Sequence, residues 1–339
     1  MNTTQNVMLI AASAGPDSME RHVLGAFREL GWRTGHFDCR RVTGFNPKIN
    51  RAANSLLRLI VREPERLRES VLIRAIEEFE PKLILVLLGS QLSPKTVARI
   101  RKRFSVPLVA WCQDQLTTMD RQYLIGSEYD HVFVKDHYMV EFLREMAGLR
   151  SVHYLPEACN PKIHRTVELT AADRMRYAAD VMTYGSLYYY RQSILSVLND
   201  FDLKIWGAKP DWLIDRLPGR HMGRGIYETE KCKAVRAACI TLNTLHYGEI
   251  RSLNARAFEI AGIGGFQLMS HSPVVKDHFV LGEEIETFSS RSELVEKVRY
   301  FLREPEKRAA IAAAGQLRAH SAHTYRHRIE SMLKTASLI

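Results

Sequence analysis

The sequence contains no run of about 18 consecutive apolar residues, and this argues against a membrane-spanning helix. The first stretch, MNTTQNVMLIAAS, carries no basic leader and its apolar run is short, so it is expected to be a first strand rather than a signal peptide. Cysteine is scarce. Cys39, Cys112, Cys159, Cys232 and Cys239 are scattered, odd in number and without C-x-x-C spacing, which argues for a reducing cytoplasm and against a disulfide framework or a zinc site. No repeat, low-complexity tract, homeodomain, zinc finger or RNP-like pattern is present, so nothing points to base-specific reading of nucleic acid.

What is present is ordinary for a globular protein: 46% hydrophobic and 25% charged residues in a chain of 339, long for one core and comfortable for two. The balance of 48 Lys and Arg against 38 Asp and Glu gives a net charge of +10. Such a surface can bind nucleic acid, rest peripherally on anionic lipid at the inner face of a membrane, attract phosphorylated substrates, or simply decorate helices. The densest basic cluster, RIRKRF at 99–104, is expected to end a surface helix.

Strand and helix patterns alternate along the first half. VMLIAAS (7–13), KLILVLL (82–88, followed by GSQ), VPLVAWC (106–112), DHVFVK (130–135) and SVHYLPEACNP (151–161) read as strands. Their nearly continuous apolar runs suit a parallel sheet covered on both faces. Between them lie helical patterns: one after Asp17 or Ser18 that stops at Gly31, an Arg-rich one over 50–79, PKTVARIRKRF, and DHYMVEFLREMAG. The rhythm breaks at Pro156–Pro161 and restarts with DVMTYGS (180–186), LKIWG (203–207), CITLNT (239–244), a helix around 252–262 and the strand FQLMS, with charged helices over 290–335. Two doubly wound α/β domains account for this pattern, and in such sheets ligands bind at the carboxyl ends of the strands where the order reverses.

The ordered pieces YGSLYYYR (184–191), IWG (205–207), ITLN (240–243), NARAFEIAGIGGFQLMS (254–270), FVLGEEIETFSSRSELVEKVRYFL (279–302) and HTYRHR (323–328) resemble the glycosyltransferases of the CgeB/spore-maturation type, which are similar to glycosyltransferase family 4. The likeness is good over roughly 130–335 and rests mostly on fold before that. It implies an α/β, GT-B-like fold, with two Rossmann-type doubly wound domains facing a cleft and C-terminal helices crossing back. The expected division is 1–165 on the acceptor side, 166–315 for the nucleotide sugar, and a helix over 316–339 that returns to the first domain. It also implies transfer of a hexosyl or related group from a nucleotide-diphosphate sugar to a surface polysaccharide, glycolipid or protein acceptor, without a bound metal or other cofactor. Departing from the family's aspartate-rich end of the third strand, this chain has WCQDQ, with Asp114 as its only carboxylate. Two alternatives stay open: a nucleotide-sugar-binding protein of the same fold without turnover, and a basic nucleic-acid binder.

The residues fit the transferase role chemically. A diphosphate leaving without a metal needs positive charge and N–H donors at its oxygens, and a helix N-terminus supplies both dipole and amides. Asn254 lies near such a start; Arg256 can fork to phosphate, and Glu259, one turn on, can accept from the two ribose hydroxyls. The alternative for the last two is a surface ion pair. Gly262, Gly264 and Gly265 serve the return into the sheet. Gly185 lets backbone approach a phosphate, Ser186 offers a hydroxyl and Arg191 a charge, while Tyr188–Tyr190 can stack on sugar or pack. Trp206 and Gly207 can border the base, Trp206 being equally suited to the core, and Asn243 can bond base or phosphate. In the first half, Gly15 in SAGPDS opens room for acceptor or donor phosphate, and Asp114 is the candidate base. His131 and His153 fit structural positions, and Glu157 fits either a sugar contact or a solvated loop. HTYRHR places its histidines in the last helix at i and i+4, with no third metal ligand, and is expected to anchor that helix.

Overall fold

The computed structural model describes residues 5–12, 15–38, 64–87, 92–114, 116, 123–208 and 219–339. Ser13–Ala14, Cys39, the start of the Arg-rich stretch, the GSQ at 89–91 and Gln115 lie outside them. The chain divides into two compact units, Met1–Leu155 with Ile329–Ile339, and Pro156–Arg328. Among the described residues no helix is long and apolar enough to cross a membrane.

The first unit contains β1 (Asn6–Ile10), α1 (Met19–Glu29), β2 (Arg33–Phe37), α2 (Pro64–Phe79), β3 (Leu83–Leu87), α3 (Pro94–Arg103), β4 (Leu108–Cys112), β5 (His131–Val134), α4 (His137–Glu145) and β6 (Val152–Tyr154). Its sheet runs β2-β1-β3-β4-β5-β6 with every pairing parallel. β1, β3 and β4 are buried along their whole length, which is why their sequences are unbroken apolar runs and not alternating ones. Local chemistry sets the helix ends. Ser93 Oγ accepts from Thr96 N–H ahead of Pro94, and Asp136 accepts from Tyr138 N–H. Ser18 takes the N-cap position of α1, but its hydroxyl donates to Gly15 O and Glu20 Oε1, both at 2.7 Å, and does not cap. The strand order reverses between β1 and β3. Just beyond β1, Asp17 adopts φ +61°, and its carboxylate lies 3.2 Å from Nε2 of the buried His22.

The second unit contains α5 (Ala171–Tyr177), β7 (Ala179–Tyr184), α6 (Tyr189–Leu195), β8 (Leu203–Trp206), β9 (Arg220–His221), α7 (Glu228–Ala237), β10 (Ala238–Asn243), α8 (Ala255–Ile263), β11 (Gln267–Ser270), β12 (Glu286–Phe288), α9 (Arg291–Leu302) and α10 (Pro305–Ala322), and α11 (Tyr325–Thr335) begins in it. The sheet order is β12-β11-β10-β7-β8-β9, again wholly parallel. β9 and β12 are edge strands of two and three residues, too short to leave a run in the sequence. The sheet is covered on both faces. One core joins Leu187, Ile194 and Leu195 to Val298 and Phe301; the other joins Tyr184 and Trp206 to Val235 and Ile260.

The HTYRHR segment departs from expectation. α10 ends at Ala322, and His323 and Thr324 fall between two helices, so His323 and His327 do not share one helical face. The break exists because this segment pairs with the chain near Cys159: Cys159 N–H donates to His323 O at 2.9 Å, and Tyr325 N–H to Cys159 O at 3.1 Å. His323 Nε2 bonds His278 O at 2.9 Å, and buried Arg328 donates to Pro156 O and Glu157 O. Glu157 is likewise buried, not a solvated loop carboxylate.

Candidate functional site

In the second unit the strand order reverses between β7 and β10, and their carboxyl ends, Tyr184–Gly185 and Asn243–Thr244, frame a crevice where such sheets bind ligands. The guanidinium of Arg256, from the first turn of α8, spans that gap. Its Nη1 donates to Tyr184 O at 2.7 Å and its Nη2 to Thr244 O at 2.9 Å. Arg191 reaches the same place from α6. It donates to Ser186 O at 2.9 Å, to Tyr184 O at 2.8 Å and to Thr183 Oγ1.

Gly185 lies against both guanidiniums. Its φ is +107°, and a Cβ there would lie 2.9 Å from Arg256 Nη1 and 3.4 Å from Arg191 Nη1. Gly207, at the end of β8, is as constrained, since its Cβ would meet Gly185 O at 2.3 Å. Among the described residues neither arginine forms an ion pair; their partners are carbonyls and one hydroxyl. The surface-pair alternative for Arg256 and Glu259 is therefore not what the fold uses. Burial, reinforced by the charge of Arg256, holds Arg191 well below the ordinary arginine pKa. Arg191 Nε and Thr244 Oγ1 are buried without a hydrogen-bond partner among the described residues. Two cations side by side, with no counter-charge bonded to them among the described residues, and unspent polar atoms together make a place that an anion would stabilise.

Around this centre the expected residues separate into contact positions and supports. Ser186 is exposed and Tyr188 half-buried at the start of α6. Asn254 caps α8, its Oδ1 accepting from Ala257 N–H at 3.2 Å. Asn243, expected to touch base or phosphate, is wholly buried. Its amide exchanges hydrogen bonds of 3.0 Å with Asn254 and donates to Gln267 Oε1 at 3.0 Å. It positions the start of α8 and does not reach a ligand itself. Trp206 is also corrected. Its ring is a core side chain, 1% exposed, packed 5.7 Å from the Tyr177 ring with the Arg224 guanidinium 5.2 Å from its centroid, and it offers no open platform.

Glu259 is buried with partners that the sequence did not disclose. Its Oε2 accepts from Tyr184 Oη at 3.0 Å and from Lys231 Nζ at 3.0 Å, and Lys231 Nζ lies 3.1 Å from Nε2 of the buried His164. Lys231 sits among other charged residues in α7 and His164 in a loop, so no local pattern marked either. Gly15 and Asp114 belong to the first unit. Gly15 follows β1 with φ +110° and, among the described residues, nothing within 4 Å of where a Cβ would lie, and Asp114 is exposed just past β4. The Asp17–His22 pair escaped the sequence reading because the backbone of Asp17, not any spacing, brings it together.

The comparisons with known proteins follow the same lines. A family model described as glycosyl transferase-like matches residues 191–334. A search of curated proteins finds no match. Among solved structures, sucrose-phosphate synthase from Thermosynechococcus elongatus is similar with a TM-score of 0.71 at 14% identity, over 97% of this chain and 98% of that one. Anabaena HepE in complex with UDP-glucose is similar with a TM-score of 0.69 at 14% identity, over 98% of this chain and 100% of that one. A glycosyltransferase from Rickettsia africae gives 0.67 at 8% identity over 99% and 98%. Two Rossmann-like units of parallel sheet place the fold with the GT-B glycosyltransferases.

Proposed function

We propose that the chain is a glycosyltransferase of the CgeB type that binds a nucleoside-diphosphate sugar in its second unit and passes the glycosyl group to a saccharide, lipid-linked or protein acceptor. The observation that carries this reading is the pair of un-neutralised guanidiniums, Arg191 and Arg256, set against Gly185 at the β7/β10 switch point. Phosphate oxygens brought there by the left-handed glycine turn meet fixed positive charge, which becomes more favourable as the bond to the sugar breaks and the diphosphate gains negative charge. The arginines provide charge compensation of the kind a metal ion supplies elsewhere, in keeping with metal-independent transfer. Glu259, whose Oε2 accepts from Lys231 Nζ at 3.0 Å, is the candidate acceptor for the ribose hydroxyls. Asp114 is the candidate base for the acceptor hydroxyl. HepE was captured with UDP and with UDP-glucose, so uridine nucleotides head the donor panel.

The test is thermal stabilisation and calorimetry with UDP, GDP, ADP and their sugars. At least one nucleoside diphosphate should raise the melting temperature, and Arg256→Gln should weaken it at least tenfold, the scale of a lost charge-assisted hydrogen bond of about 1.5–3 kcal/mol. Wild-type protein indifferent to every nucleotide would end the reading. Donor hydrolysis or transfer that disappears in Arg256→Gln separates an enzyme from a binding protein without turnover.

A further inference from the structure

The switch point of the second unit carries a feature that the diphosphate does not use. The loop after β10 and the start of α6 bring four aromatic side chains together. The rings of Tyr188 and His246 lie 5.0 Å apart at 60°, those of His246 and Tyr247 4.0 Å apart at 33°, and those of Tyr190 and Tyr247 5.7 Å apart at 80°. The cluster is open: Tyr247 is 72% and Tyr190 42% exposed. Exposed aromatic surface gathered in one patch marks a binding surface more often than scattered apolar residues do.

The loop is built to hold this shape. Gly248 N–H donates to His246 Nδ1 at 3.0 Å, so Nδ1 accepts and Nε2 is the ring nitrogen left to donate. Glu249 N–H donates to His246 O at 2.9 Å, and the wholly buried Ser252 donates its hydroxyl to Glu249 Oε2. The rings are therefore presented in advance, without an ordering cost on binding. The cluster also adjoins the cationic centre, since the charges of Arg256 and Arg191 both act on the Tyr188 phenol.

Position on the sheet decides which part of a donor meets these rings. Glu259 reaches Tyr184 and shares one face of the sheet with the core of Tyr184, Trp206 and Ile260. Leu187 and Ile194, which flank Tyr188–Tyr190, belong to the core of the opposite face. A diphosphate held at Gly185 with its ribose toward Glu259 thus sends its other substituent toward the aromatic cluster. We infer that Tyr188, Tyr190, His246 and Tyr247 form the glycosyl subsite, stacking on the apolar face of a pyranose while His246 Nε2–H and the phenols bond its hydroxyls, and so select the donor sugar. This rests on the function proposed above. Rings that are flat, partly apolar and tipped with donors suit a sugar, which has one C–H face and a rim of hydroxyls.

Calorimetry tests it with UDP, UDP-glucose, UDP-galactose and UDP-N-acetylglucosamine on the full chain, or with the guanosine or adenosine counterparts if those are what the wild type binds. Wild type should bind one sugar nucleotide at least fivefold more tightly than the bare diphosphate. Tyr247→Ala and His246→Ala should erase that difference and leave the bare diphosphate within twofold of wild type, with circular dichroism unchanged. Equal weakening of the bare diphosphate would assign the rings to the base and overturn the inference, as would variants that bind every ligand like wild type, or a wild type that gains nothing from any sugar. A wild type that binds no nucleotide at all fails earlier, at the proposed function, and takes the subsite with it.

Discussion

At the scale of single residues, the candidate site depends on two missing side chains. Gly185 and Gly207 are needed for different reasons. Gly185 stands at φ +107° with arginine nitrogens where a methyl would go, whereas Gly207 faces a carbonyl oxygen 2.3 Å from any Cβ. A guanidinium can swing aside and backbone cannot. Gly185→Ala is therefore expected to cost about 1–2 kcal/mol of stability while weakening nucleotide binding, and Gly207→Ala is expected to cost more because β7 and β8 must part. Urea melts of both variants check the order; equal costs would mean that the strands yield as readily as the side chains. Gly185, Arg191 and Arg256 were legible in the sequence because strand–glycine–helix and arginine at a helix start have a direct chemical meaning. Trp206 and Asn243 were not, since burial at the end of a strand is decided by distant partners such as Tyr177 and Gln267. Lys231, 28 positions from Glu259, left no local trace for the same reason.

At the scale of elements, the long buried strands β1, β3, β4, β7 and β10 announced themselves as apolar runs, and α8 by its Asn254 cap and its glycine stop at Gly264. The two- and three-residue edge strands did not, being shorter than any pattern can register. The misplaced break at His323 has a tertiary cause, its pairing with Cys159, and it makes a pH prediction. Burial lowers the His323 pKa from 6.5 to about 4, with the Arg328 charge acting in the same direction. The unfolded chain then binds the proton first, so stability attributable to this residue is complete above pH 6.5, falls as pH drops toward about 4, and is level below that. The total is about 3 kcal/mol at most, and His323→Gln should flatten that part of the profile. A wild-type profile with no slope between these limits would show that the imidazole is charged in the fold.

At the scale of the whole molecule, the net charge of +10 and the two arginines of the site are separable. Surface cations attract any polyanion and are screened within about 10 Å at 0.1 M salt, but the site's cations are wholly or half buried. Retention on nonspecific DNA should be gone by about 200 mM salt, while stabilisation by the preferred nucleoside diphosphate survives. A gel shift that persists at that salt, with nucleotide binding lost, would reverse the assignment. The strand and helix alternation behind both Rossmann-like units was readable in the buried inner strands, because a parallel sheet covered on two faces leaves few options for composition, and not in the edge strands β2, β9 and β12. Finally, Arg191 and Arg256 are anchored on main-chain carbonyls and not on the sugar, so the charge that meets the diphosphate is still in place once the sugar has left. On the proposed chemistry the spent nucleotide competes with fresh donor for the same seat, so added nucleoside diphosphate should slow transfer in competition with the donor.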